Sequence, residues 1–184
     1  MMKKALFLDR DGIINIDHGY VHKIEEFEFV DGIFDVCRYA LDMGFEIIVI
    51  TNQAGIARGY YSVSDFEVLT NWMKVEFAKR DIPISDVYFC PHHPEPKNQE
   101  QGHNEFVKTC DCRKPAPGMI LQAAKDHNIN IAHSAFIGDK VSDMKAAEAA
   151  GIHNKILVSS QYQDDGNTHA HRINCIKEAA AFLC

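Results

Sequence analysis

Leu6-Phe7-Leu8-Asp9-Arg10-Asp11-Gly12 is the stretch on which the reading of this 184-residue chain turns. An apolar run, Ala5 to Leu8, meets a carboxylate, and a second carboxylate follows two positions later, just before a glycine. In extended backbone, residues i and i+2 face the same side, so Asp9 and Asp11 converge on one small volume at the end of a strand. Two acids held that close repel unless a cation lies between them or one keeps its proton. Each solution is chemical: a divalent metal beside a carboxylate nucleophile, or an acid/base carboxyl beside a charged partner. A solvated Asp-Gly turn is the plain alternative.

Outward from this stretch, strand-like runs alternate with helical ones, the signature of a parallel α/β sheet. After the strand Ala5 to Asp9, the 3–4 spacing of Ile33, Val36, Cys37, Ala40 and Leu41 predicts a helix over 31–43, closed by Gly44. Phe45 to Ile50 is apolar and β-branched, as a strand covered on both faces should be, and it ends at Thr51-Asn52-Gln53. Ser64 and Glu67 fit a capping box for a helix reaching about Arg80. A third strand is expected over 87–90. A helix then begins at Pro117, and a fourth strand, 134–137, ends at Gly138-Asp139. Ser142 is the expected cap of a helix to Ala150, followed by a fifth strand, 155–158, a polar stretch over 161–171 and a terminal helix over 173–184. The expectation is one α/β domain over 1–184: a Rossmann-like parallel sheet flanked by helices on both faces, with a loop insertion at 90–112.

A net charge of −7 argues against a non-specific grip on nucleic acid or anionic membrane. Neither a membrane span nor a signal peptide is read in the sequence, so a cytoplasmic location is expected; the expected state is a monomer. In that compartment the six cysteines read as metal ligands or buried thiols rather than disulfides.

Three strand ends carry polar residues: Asp9 with Asp11, Thr51 with Asn52, and Asp139. In a parallel sheet all these C-terminal edges lie on one side, where ligand crevices form. Asp9 and Asp139, with a backbone carbonyl near Asp11, supply the hard oxygens that Mg²⁺ prefers. Asp9 is then the nucleophile of a phosphoryl transfer and Asp11 the acid/base that serves the leaving alkoxide and the attacking water. Thr51 and Asn52 donate to the phosphoryl oxygens, and Arg113 and Lys114 supply the cationic anchor. Asp143, one helical turn beyond Asp139, reads equally as a supporting acid or a solvated one. Cys90, His92, Cys110 and Cys112 make a C-x-H…C-x-C set that matches a closed structural Zn²⁺ site, with His93 or His103 as alternatives to His92. Such a site would hold the long polar loop and aim Arg113 and Lys114 at the sheet edge.

Taken in order, Asp9-Arg10-Asp11-Gly12, Thr51-Asn52, Lys114 and Gly138-Asp139-Lys140-x-x-Asp143 resemble the haloacid dehalogenase superfamily of phosphatases. The Cys/His loop narrows the resemblance to the subgroup of heptose bisphosphate and histidinol-phosphate phosphatases. Residues 17–22, 51–59 and 110–115 resemble the heptose branch most closely. That resemblance implies Mg²⁺-dependent hydrolysis of the C7 phosphate of a heptose 1,7-bisphosphate through an aspartyl phosphate, yielding a heptose 1-phosphate for nucleotide-activated heptose synthesis. It also implies substrate contacts from Asp9, Arg10 and Asp11, from Asp17, His18, Gly19 and Tyr20, from Thr51, Asn52, Gln53 and Ala54, and from Arg113, Lys114 and Lys140. One departure stands out: position 13, usually threonine in the first motif, is Ile13, and a modest loss is expected from the missing hydroxyl.

Spacing leaves no room for a cap domain. The 39 residues between Asp11 and Thr51 already hold a helix and a strand, and the 61 between Asn52 and Lys114 hold a helix, a strand and the Cys/His loop. Specificity then rests on loops. Other readings are a histidinol-phosphate or other sugar-phosphate phosphatase, a DNA-end phosphatase, which the acidic balance disfavours, and a zinc-stabilised phosphate-binding module without turnover.

Overall fold

In the computed structural model, which describes residues 2–95 and 104–184, β1 (Lys4–Leu8) lies inside a six-stranded sheet. It pairs in parallel with β2 (Phe45–Asn52) on one side and β4 (Ala135–Gly138) on the other. β3 (Ile84–Cys90) continues beyond β2, and β5 (Asn154–Val158) and β6 (His171–Ile173) beyond β4. The order is β3-β2-β1-β4-β5-β6, with every pair parallel. The chain thus winds outward in both directions from the β1/β4 boundary, and at such a switch point the connections leave a crevice outside the carboxyl ends of the strands. Asp9 follows β1 and Asp139 follows β4, so they flank that crevice.

Strand alternation sends side chains to two cores. Leu6, Leu8, Ile47, Val49 and Ile137 face α1 (Ile33–Asp42), α3 (Val63–Ala78) and the C-terminal 3₁₀ helix (Ile176–Phe182). Ala5, Phe7, Ile48, Ile50 and Phe136 face α4 (Gly118–His127) and α5 (Val141–Ala150). Burial on both sides is why the strands are continuous apolar runs rather than alternating ones. A short helix, α2 (Ala54–Ala57), follows directly on β2.

Several boundaries differ from the sequence expectation. The cap of α3 is Ser62, not Ser64: its Oγ accepts the Asp65 N–H at 3.1 Å and its own N–H donates to Asp65 Oδ2 at 2.8 Å. Two overlapping Ser-x-x-acid patterns were available, and the earlier one lengthens the helix. α5 begins at Val141 rather than behind Ser142, because the Asp143 carboxylate accepts the N–H groups of Asp139 at 3.2 Å and Lys140 at 3.1 Å. The terminal segment is not a helix over 173–184. It opens with the three-residue strand β6, whose exposed His171 and Arg172 hide it from any periodicity, and continues as the 3₁₀ turn. No helix among the described residues is long and apolar enough to cross a membrane.

Ile13 is wholly buried in the core that faces α1 and α3. Position 13 is therefore occupied by packing rather than by a hydroxyl's hydrogen bond. Ile13→Thr should lower unfolding free energy by about 1–3 kcal/mol in urea titrations, the cost of burying a hydroxyl among apolar neighbours. An unchanged midpoint would contradict this.

Candidate active site

The turn after β1 is built to expose carboxylates. Asp9 donates its backbone N–H to Ile137 O at 3.1 Å, which ties it to β4, and its Oδ1 accepts the Arg10 N–H at 2.8 Å. Gly12 sits at φ +91°, and a Cβ there would come within 2.3 Å of Asp139 Oδ2. Only glycine allows the β1 turn to lie against the acid that follows β4.

Lys114 enters this cluster from the turn after the Cys/His loop. Its Nζ lies 2.9 Å from Asp9 Oδ1 and 2.7 Å from Asp143 Oδ1, and donates to Ile50 O at 2.8 Å. The ammonium thus sits between two carboxylates and a backbone carbonyl. Lys114 braces Asp9 and lines the cavity beside it. The Asn52 side chain is likewise engaged within the protein. Its Nδ2 donates to Lys114 O at 3.1 Å, and its Oδ1 accepts the Lys114 N–H at 3.0 Å. That clasp ties the end of β2 to the Lys114 backbone at the cavity wall.

Asp143 is fully buried and joined to Lys114 and to two backbone N–H groups, so it is not a solvated helix acid. Ligand atoms from Asp9, Asp139 and Asp143 lie within 4.8 Å of one another. Both carboxylate oxygens of Asp139 are buried without a hydrogen-bond partner. A buried carboxylate left so is costly unless a cation or a proton satisfies it. Burial, with the Asp9 and Asp143 charges beside it, pushes Asp139 up to about 8. Burial and Asp143 push Asp9 up to about 6 against the opposing pull of Lys114 and Lys140. An oxygen-preferring divalent cation is the group these residues fit.

Asp11 turns away from this trio. Burial acts to raise its carboxyl but is outweighed by the Arg10 guanidinium, whose Nη2 donates at 2.8 Å, and by the Asn15 amide at 3.1 Å, so its pKa is lowered. Its second oxygen faces the Gln53 amide at 3.3 Å and the cavity.

The cavity above these residues measures ≈ 480 Å³, and its wall includes Asp9, Asp11, Asp17, Gly19, Tyr20, Asn52, Gln53, Ala54, Arg113, Lys114 and Lys140. Three expected contacts lie elsewhere. The Arg10 side chain is buried beneath, donating to Asp11 and Val21 O. His18 points outward to Glu28, at 3.4 Å. Thr51 is buried, its hydroxyl accepting from the Gln53 amide at 2.9 Å. Arg58, Tyr61, Ser142 and Tyr162 also line the cavity. Arg58 fell within a loop already singled out, but Tyr162 lies in a polar segment with no pattern to mark it.

Cys90, His92, Cys110 and Cys112 come together at the end of β3. Their Sγ–Sγ separations are 3.5, 3.1 and 3.2 Å, and His92 Nδ1 lies 3.6 and 3.3 Å from two of the sulfurs. A tetrahedron with ~2.3 Å zinc–sulfur bonds has edges of roughly 3.8 Å, so the donor set and its shape fit Zn²⁺. His93 instead faces Glu95 and Arg58, and His103 lies outside the described residues. The cluster reaches the cavity through Arg113, whose Nη1 donates to His92 O at 3.3 Å.

A HAD-hydrolase-like family model matches residues 111–178 of the chain. The D-glycero-beta-D-manno-heptose-1,7-bisphosphate 7-phosphatase of Yersinia pestis is 51% identical over 154 residues, covering 84% of this chain and 79% of the relative. The protein of the same name from Pasteurella multocida is 47% identical over 174 residues, covering 94% and 91%. Among solved structures, D,D-heptose 1.7-bisphosphate phosphatase from B. bronchiseptica, complexed with magnesium and phosphate, superposes with a TM-score of 0.79. That match has 24% identity and covers 98% of this chain and 97% of the other, a likeness of fold.

The raised acids set a sign for pH. Unfolded, Asp9 and Asp139 ionise near 3.8; folded and metal-free, they hold their protons longer, so stability falls as pH rises from about 4 to about 8. A divalent cation bound to the ionised acids offsets that loss. Melting curves with and without saturating Mg²⁺ should show a gain in Tm that grows between pH 5 and 8. A pH-independent gain would contradict the assignment.

Proposed function

The chain belongs to the family of D-glycero-beta-D-manno-heptose-1,7-bisphosphate 7-phosphatases within the HAD-like hydrolases, and from that premise we propose that it removes the C7 phosphate of D-glycero-D-manno-heptose 1,7-bisphosphate. The observation that carries the proposal is the brace of Lys114 on Asp9 inside a buried acid cluster with an unpartnered Asp139. A carboxylate held this way is fixed at the cavity by one oxygen.

Asp9 attacks phosphorus, forming the Asp9–phosphoryl bond as the bond to the sugar oxygen breaks. Asp11 gives the leaving alkoxide its proton and later takes one from the water that cleaves the aspartyl phosphate. Its lowered pKa suits the second role; for the first, the arriving phosphoryl charge raises it again. Asp9 and Asp139, with the Asp11 carbonyl, would hold Mg²⁺, which would supply charge neutralisation at the phosphoryl group. Asp143 then holds Lys114 and the start of α5 in place. Gln53, seated on the buried Thr51 hydroxyl, Arg113 and Lys140 orient the ester, and the 17–20 loop shapes the sugar side. Zn²⁺ on Cys90, His92, Cys110 and Cys112 fixes the turn that carries Arg113 and Lys114. The protein we propose is a cytoplasmic monomer acting on a small sugar phosphate.

Two measurements test this. Phosphate release from heptose 1,7-bisphosphate should require Mg²⁺ and fall to background in Asp9→Asn, with kcat/KM for this substrate above that for histidinol phosphate. A higher value for histidinol phosphate would overturn the substrate. Metal analysis should find one zinc per chain, lost in Cys110→Ser together with a lowered Tm; a protein free of zinc at full stability would overturn the structural site.

A further inference from the structure

The segment after β5 closes the side of the cavity opposite the Cys/His loop. Ser159 donates its N–H to Ile173 O at 2.9 Å, anchoring the segment to β6. Ser160 Oγ donates to Asp139 O at 3.0 Å and accepts the Tyr162 N–H at 3.2 Å. The Tyr162 hydroxyl then crosses 145 positions of sequence to donate to Asp17 Oδ2 at 2.6 Å. Its ring centroid lies 4.2 Å from Lys140 Nζ, which is itself 3.6 Å from the same Asp17 oxygen. Three strand ends therefore meet on one side chain: Asp17 beyond β1, Lys140 beyond β4 and Tyr162 beyond β5.

The chemistry of the group is definite. A phenol donating to a carboxylate is a charge-assisted bond, stronger than a neutral one, and an ammonium over an aromatic face is attracted by the ring quadrupole. Together they hold two opposite charges at the cavity wall without letting Lys140 close fully onto Asp17. Burial and the Asp17 bond both raise the Tyr162 pKa, so the hydroxyl stays a donor at neutral pH. Lys140 is left able to turn its ammonium to the phosphoryl group, while the other Asp17 oxygen, Oδ1, accepts the Gly19 N–H at 3.0 Å and so holds the 17–20 loop at the cavity wall.

We propose that Tyr162 is a positioning residue of the active site, holding Asp17 on the sugar side and Lys140 on the phosphoryl side of the cavity. The proposal rests on the phosphatase reading above and deepens it: a wall that a cap domain would supply is made here by one tyrosine from the segment after β5.

The test is a kinetic cycle on full-length protein with Tyr162→Phe, Asp17→Asn and the double variant, with Tyr162→Leu alongside. Losing the phenol donor should raise KM by about tenfold, the scale of one charge-assisted hydrogen bond, with kcat within about twofold. The double variant should be no worse than Asp17→Asn alone, since the phenol acts through that carboxylate. Tyr162→Leu, which also removes the ring from Lys140, should weaken inhibition by inorganic phosphate beyond the effect of Tyr162→Phe. An unmoved KM in Tyr162→Phe, or losses that multiply in the double variant, would overturn the proposal; should Tyr162→Leu fail to fold, the Phe cycle decides. The cycle is run on the phosphate ester the parent turns over best. A parent inactive on heptose 1,7-bisphosphate therefore counts against the substrate reading, and a flat cycle against Tyr162.

Discussion

The contact on which the site depends is the buried ammonium of Lys114 between Asp9 and Asp143. Burial acts to lower the Lys114 pKa, but the two carboxylates outweigh it and its pKa is raised. The ion pair is nonetheless incomplete. Three clustered carboxylates, Asp9, Asp139 and Asp143, against this one ammonium leave two negative charges over, which is the charge of a divalent cation. Lys140, a third exposed, offsets part of that excess from the rim. Replacing the cluster with apolar residues would cost the fold little, so its presence is explained by chemistry rather than by stability.

Delivering that ammonium takes cooperation between distant segments. Lys114 follows Cys112 by two positions, so whatever gathers the thiols also fixes the start of the turn. The Asn52 amide, at the end of β2, clasps the Lys114 backbone from the other side. Asp143 serves both the cation and the first turn of α5, so helix capping and site assembly are a single interaction. The doubly wound sheet makes this economical, since every strand end it needs opens on the same edge.

Much of this was legible in the sequence, for physical reasons that can be named. The strands are continuous apolar runs because both faces are covered, and the acids at the ends of β1 and β4 stand out because charge rarely follows such runs. The Cys/His set was legible from its paired spacing. Other features were not. β6 is three residues long with polar, exposed side chains, so no period exists to detect. Asp143 had the same helical spacing whether buried or solvated, and only the position of Lys114 separates the two. The side chains of Arg10 and His18 fall outside the cavity because a motif fixes backbone order, not which way each side chain turns. Tyr162 was invisible because its partners, Asp17 and Lys140, lie beyond two other strands.

The central claim is that Asp9 is a nucleophile braced by Lys114 and completed by a metal shared with Asp139. A crystal structure of the chain with Mg²⁺ and trifluoroberyllate, a mimic of the aspartyl phosphate, tests it most directly. The account predicts beryllium bonded to Asp9 Oδ, the metal ligated by Asp9 and Asp139, and Lys114 still seated on Asp143. Beryllium on another residue, or a metal touching neither acid, would contradict it.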